Sequence, residues 1–266
     1  MKKGLLALSA ATLFVMTTPV QAKQEICVFD LLGRAGESYK LIEEWKLAAK
    51  NWQGDIELIP YQDEKKAEQD FDAGKCDGVY MTSMRARKYN KFAGSIDAVG
   101  AVSSNAIAQK AISFVLDNRN KHRLTASVGG EKHEVAGIIQ VGLAYIFVRD
   151  KNIDTIEKAK GKKFAYLHYD QAQKTIVESI DLIAVPSDIS NFVKKFNSGQ
   201  VDVIAAPAYA YKPLEISKGM ANGALFNFPA VNITGDLIIK PGKFPANFGT
   251  QSRQWFINKW LCCTNS

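Results

Sequence analysis

Little in this sequence announces a catalyst. Its 266 residues include three histidines and four cysteines. His122, His133 and His168 are scattered. His168 and Asp170 fall short of the three or four ligands a zinc site needs. No G-x-S-x-G elbow, P-loop or G-x-G-x-x-G set occurs, which argues against a serine hydrolase, a nucleotide hydrolase and a dinucleotide enzyme. Gly33 and Gly36 make only a lone turn. The paired carboxylates Glu43/Glu44 and Asp70/Asp72 fall on helices that read as solvated. No catalytic residue, metal site or cofactor is assigned, and the chain is expected not to be an enzyme. Cysteine is too sparse to build the fold. Lysine and arginine outnumber aspartate and glutamate by 34 to 27. The lysines lie in scattered pairs, such as Lys65/Lys66 and Lys194/Lys195, without the basic stripe of a nucleic-acid binder. No nucleic-acid partner is expected.

Long hydrophobic runs are also missing, with one exception. Leu5 to Met16 is apolar apart from Ser9 and Thr12, follows Lys2 and Lys3, and leads to Val20-Gln21-Ala22. This is the pattern of a secretory signal peptide cleaved after Ala22, and the run is shorter than the roughly 20 residues of a membrane span. Its removal lowers the formal charge from +7 to +5. Val135–Val148 and Val201–Tyr211 are the next most apolar stretches, and both are too short to span. A mature chain of 23–266, exported to the periplasm and not membrane-spanning, is expected.

What remains is an ordinary globular composition, 47% hydrophobic and 23% charged, in which strand and helix patterns alternate. Strands are expected over 25–32, 55–61 and 76–82. Helices are expected over 38–50, with Leu41, Trp45 and Ala48 on one face, over 64–73, closed by Gly74, and from 84 to 91. A second series begins at 144–149. It continues through a helix at 153–159, a strand at 163–168, a helix at 171–180, a strand at 182–185, a helix at 187–197 and a strand at 201–206. Strands separated by helices imply parallel pairing by right-handed crossovers. The expected fold is α/β: a two-lobe binding-protein-like fold with open, mostly parallel sheets and a cleft between the lobes. Lobe I is placed at 23–130, completed by about 222–266, and lobe II at 131–221. With strands in 2-1-3 order, Cys27 and Cys76 lie on neighbours, and export supplies an oxidising compartment. A Cys27–Cys76 disulfide is expected, the alternative being two separate buried thiols.

Several phrases carry a resemblance. The signal segment, the βαβαβ start, Gly161 to Tyr166 and the run from Pro186 to Pro207 resemble periplasmic solute-binding proteins, in particular the receptors of tripartite ATP-independent transporters. Cys27 to Tyr39 and Thr82 to Gly100 resemble the AdeT-type exported proteins, a family of solute-binding proteins often labelled as aminoglycoside-efflux components. The resemblance implies a receptor that captures a small-molecule solute for membrane transporter subunits. The alternative it implies is an accessory periplasmic component of a drug (aminoglycoside) efflux system. Two departures stand out. Receptors of this type usually carry an arginine soon after K-G-x-K that pairs with a substrate carboxylate, and residues 162–166 contain none. After Trp255 the chain stops where the family usually continues into further helices, so truncation is expected.

In open α/β sheets, ligands sit beyond the carboxyl ends of the strands. Those ends supply the candidate ligand-binding residues: Asp30 and Arg34 after the first strand, Thr82, Ser83, Arg85 and Arg87 after the third, Tyr169 and Asp170 in the second lobe, and Tyr209 and Tyr211 after its last strand. Three arginines at this rim and a positive chain favour an anionic or zwitterionic solute, with weak direct aminoglycoside binding.

Overall fold

A computed structural model describes residues 23–262. The expected signal segment and the tail from Cys263 lie outside the described residues. The chain begins with β1 (Gln24–Phe29), α1 (Glu37–Ala49), β2 (Ile56–Tyr61), α2 (Glu64–Asp72) and β3 (Gly78–Thr82), a βαβαβ unit whose strands pair in parallel on either side of β1. Apolar residues three to four positions apart make α1 amphipathic. Its Tyr39, Ile42, Trp45 and Ala49 are buried against the sheet. Asp63 caps α2, accepting from the Lys66 N–H at 3.2 Å, and Gly74 ends it at φ 75°. Cys27 and Cys76 form a disulfide with a Cα–Cα distance of 5.9 Å.

The expected helix over 84–91 is shorter. After α3 (Ser83–Ala86) the chain turns at Asn90, whose side chain donates to the Arg123 carbonyl and accepts from the Ala93 N–H, each at 2.9 Å. Then come α4 (Asn105–Leu116), β4 (Thr125–Val128) and the 18-residue β5 (Glu131–Val148). Lobe II follows as α5 (Ile156–Ala159), β6 (Lys163–Leu167), α6 (Gln171–Ser179), β7 (Ile183–Ser187), α7 (Phe192–Asn197) and β8 (Val203–Pro207). The chain returns through β9 (Ala224–Leu225) and β10 (Val231–Ile239) to α8 (Phe248–Cys262).

The strands form one hydrogen-bonded path, β2-β1-β3-β10-β5-β8-β6-β7, with β4 and β9 beside β5. Parallel pairing holds for the outer strands of each lobe. It fails in the middle, where β5 and β10 run antiparallel to each other and to their outer neighbours β8 and β3. These two strands cross from one lobe to the other. Their ladder is irregular between Ile233 and Thr234, beside Gly142 at φ 147°, a conformation open to glycine.

Each lobe has its own core. The first gathers Ile26, Trp45, Phe71, Val79, Ile112, Ile138, Leu237 and Phe256. Residues 135–139, expected in lobe II, pack here, because the first half of β5 lies between β10 and α8. The Trp45 indole N–H donates to Ser252 Oγ at 2.8 Å, and that hydroxyl donates to the Ala136 carbonyl at 2.7 Å, which ties α1, α8 and β5 together. Lobe II holds two clusters, one around Phe147, Phe196 and Ile204 and one around Phe164, Val177 and Leu182.

Candidate functional site

Between the lobes lies a cavity of about 100 Å³. Lobe I contributes Phe29, Asp30, Ser38, Tyr80, Thr82 and Met84; lobe II contributes Ala165, Leu167, Gln173, Phe192, Ala205, Pro207 and Tyr209. Val141, Ala144, Val231 and Ile233 of the two crossing strands complete it. Three of the strand-end candidates line it: Asp30, Thr82 and Tyr209, which follow β1, end β3 and follow β8.

Asp30 is only partly available. Its carboxylate accepts from the backbone N–H groups of Leu32 at 2.9 Å and Tyr39 at 3.2 Å. Gly36 precedes α1 and offers no side-chain cap. A Cβ there would stand 1.8 Å from an Asp30 oxygen, so the glycine lets the carboxylate reach the helix start, where the backbone dipoles favour it. Burial pushes the Asp30 carboxyl up, against the hydrogen bonds from Leu32, Tyr39 and Ser38. Burial likewise pushes the Tyr209 phenol up to about 12. Tyr80 is buried, donates to Ser38 Oγ at 3.1 Å, and has its phenol raised by desolvation.

The arginines do not line this cavity. Arg34 is exposed over the Tyr39 ring. Arg85 is 6% exposed. Its Nε donates to Glu64 at 3.0 Å, its Nη1 to Glu68 at 2.6 Å, and its Nη2 lies 3.7 Å from Asp188. Its guanidinium sits 3.8 Å from the centroid of the Tyr169 ring. Arg87 pairs with Asp170 at 3.2 Å. The expectation of an anionic ligand drew on these three side chains and on the positive chain; two of the three, Arg85 and Arg87, are already paired with carboxylates. Tyr211 also departs from the expected site and stacks on Phe147 in the lobe II core. Ser83 is buried, its hydroxyl without a hydrogen-bond partner.

Five of the candidates meet in a different role. Tyr169 of lobe II donates its hydroxyl to Glu64 of lobe I at 3.0 Å. Glu64 also accepts from the Thr82 N–H at 2.8 Å and hydroxyl at 2.6 Å, and from Arg85. Desolvation pushes Glu64 up, while Thr82 and Arg85 oppose it. Together with Arg87–Asp170, this network fastens one lobe to the other beside the cavity. Asp170 is at the same time the cap of α6, accepting from the Gln173 N–H at 3.1 Å. Glu64 went unrecognised in the sequence. The signal for it was its i,i+4 spacing from Glu68, which sets two carboxylates on one helix face.

A second, larger cleft of about 1100 Å³ adjoins the first and shares Met84, Gln173, Ala205, Val231 and Ile233 with it. Arg87, Asp97 and Asp170 lie in it, and Ile153, Ile156, Ile176, Phe226 and Phe228 form its apolar side. Near this polar group, β10 buries Asp236 completely, and neither of its carboxylate oxygens has a hydrogen-bond partner. Burial pushes Asp236 up to about 7, with Arg87 opposing. Asp97 accepts from the Thr234 hydroxyl at 2.8 Å and is raised by burial and by Asp236. Among the described residues, no group of three or more His, Cys, Asp or Glu side chains could hold a metal ion. No described helix is long and apolar enough to cross a membrane.

Comparisons with known proteins agree on one type of molecule. A family model described as "Solute-binding protein AdeT 1/2" matches residues 44–263. The chain is 38% identical over 233 residues to the probable solute-binding protein AdeT1 of Acinetobacter baumannii, covering 87% of this chain and 75% of that one. Its fold is similar to a TRAP periplasmic solute-binding protein of Pseudomonas aeruginosa PAO1 with bound L-malate, with a TM-score of 0.70 at 13% identity, covering 91% of this chain and 84% of that one. It is also similar to one from Desulfovibrio salexigens with bound orotic acid, with a TM-score of 0.69 at 14% identity, covering 90% and 78%.

Proposed function

Because the chain belongs to the AdeT1/AdeT2 family of solute-binding proteins, we propose that it is an exported receptor that captures a small solute between its lobes and presents it to membrane transporter subunits. The observation that carries this reading is the cavity lined from both lobes, with a network of cross-lobe contacts beside it. Closure of two lobes on a ligand buries most of a small molecule and gives it partners on two sides. The fold neighbours named above are periplasmic and hold small molecules, which supports the same use here. The signal pattern of residues 1–22 supports export with Lys23 as the mature first residue. The efflux-accessory alternative has no support from the relatives, which are described as solute-binding proteins.

Native mass spectrometry of periplasm-purified protein tests this reading. The expected result is a mature chain starting at Lys23, with a non-covalent small molecule attached or a ligand-dependent rise in melting temperature on screening. An uncleaved form held in the inner membrane, with no bound solute and no response to any small molecule, would refute it.

A further inference from the structure

Charge placement in the inter-lobe cavity restricts its ligand. Among the residues lining it there is no lysine, arginine or histidine. The side chains that β6 and β8 bring to its wall are apolar: Ala165 and Leu167, and Ala205 and Pro207. Of the nearby cations, Arg85 is committed to Glu64, Glu68 and Asp188 and Arg87 to Asp170, while Lys91 lies in the larger adjoining cleft rather than in this cavity. A carboxylate placed here would lose its hydration and find no opposite charge among the lining residues. An ammonium would find only Asp30, whose oxygens already accept from the Leu32 and Tyr39 N–H groups.

Resting on the receptor reading above, we propose that this cavity takes an uncharged solute with one apolar or aromatic ring and one or two neutral hydrogen-bonding groups. Phe29, Phe192, Leu167 and Pro207 supply apolar walls. The polar partners are neutral: the Tyr80 and Ser38 hydroxyls, the Tyr209 phenol and the Gln173 carboxamide. The Gln173 Oε1 accepts from the Leu167 N–H at 2.6 Å, which leaves its NH₂ as a donor. One water needs about 10–15 Å³ of such space, so about 100 Å³ suits a single ring rather than a sugar chain.

Benzamide, benzoate and benzamidinium share a shape and differ in charge, so they isolate this variable. Calorimetry and thermal unfolding on the mature protein should show benzamide binding at least ten-fold tighter than either ion. Ala165→Arg or, if that variant does not fold, Ala205→Arg should reverse the order in favour of benzoate. Benzoate binding as tightly as benzamide to the unmodified protein would overturn the proposal while leaving the receptor reading intact, and loss of that binding in Arg87→Ala would locate the missed cation. A co-purified acid or amine in native mass spectra would overturn it in the same way. If none of the three compounds binds and nothing co-purifies, the proposal and the receptor reading fall together.

Discussion

Asp236 should make the protein less stable as pH rises from acidic to neutral, the reverse of the usual behaviour of carboxylates. It is fully buried, and neither oxygen has a hydrogen-bond partner. Its pKa is pushed up to about 7 by burial, from an ordinary value of 3.8. The folded state therefore holds this proton more tightly than the unfolded chain does. The resulting stabilisation is complete below about pH 4 and is lost as pH rises through about 7. A shift of about three units at about 1.4 kcal/mol per unit makes the loss about 4 kcal/mol. Asp97, raised by burial and by Asp236 itself, acts in the same direction. Asp30 and Glu64, also raised by burial, act the same way, and Glu57, Asp70 and Asp117, lowered by their cationic partners, act oppositely, so the test is a difference between two proteins. Asp236→Asn keeps the shape of the protonated acid and cannot ionise. Urea unfolding at pH 4.5, 6, 7 and 8 should show the stability of this variant, relative to the parent, rising by about 3–4 kcal/mol across the range. A difference that stays constant within about 0.5 kcal/mol, or that shrinks with pH, would refute the argument that this carboxyl is held protonated by burial.

Two further outcomes follow from the contacts. Breaking the Cys27–Cys76 bridge, which closes a loop of 49 residues, should cost roughly 4 kcal/mol; Cys27→Ser with Cys76→Ser, compared with the parent in urea without reductant, measures it, and an unchanged midpoint would count against it. Tyr169→Phe removes the cross-lobe bond to Glu64 and leaves that buried carboxylate with one donor fewer. Small-angle scattering of the unliganded variant should show a larger radius of gyration than the parent, with melting lowered by a few degrees, and identical scattering curves would show that the bond does not hold the lobes.

Much of the fold was legible because its signals are local. The apolar face of α1, Asp63 ahead of α2, Gly74 behind it and Asp170 ahead of α6 are short-range features, and elements predicted from them fall within a few residues of their observed ends. The crossing strands were not legible in the same way. Half of β5 and most of β10 are buried, including Asn232, Thr234 and Asp236, so neither strand shows a plain polar–apolar alternation, and their pairing joins residues far apart in the chain, from Val231↔Ala144 to Ile239↔Glu134. For the site, strand ends pointed to Asp30, Thr82 and Tyr209, which line the cavity. They did not show that Arg85 and Arg87 are already paired with carboxylates, because an arginine's partner is fixed by tertiary approach: Glu64 lies 21 residues from Arg85, and Asp170 lies 83 residues from Arg87.

The crossing strands also decide how the two halves can move. β5 and β10 are laced by an antiparallel ladder from Val231↔Ala144 to Ile239↔Glu134, and its irregular stretch, at Gly142 and Ile233, borders the cavity. A two-strand ribbon bends readily across its face, while sliding along its length would break many bonds at once. The joint therefore behaves as a leaf spring rather than a swivel. Opening is a flexure of this ribbon, so a bend there parts the Tyr169–Glu64 and Arg87–Asp170 contacts that join the lobes beside the cavity. Backbone amides of residues 138–146 and 231–239 should then stay protected from hydrogen exchange while the contacts of the seam exchange freely; rapid exchange in that ladder would mean that the lobes separate by unzipping instead.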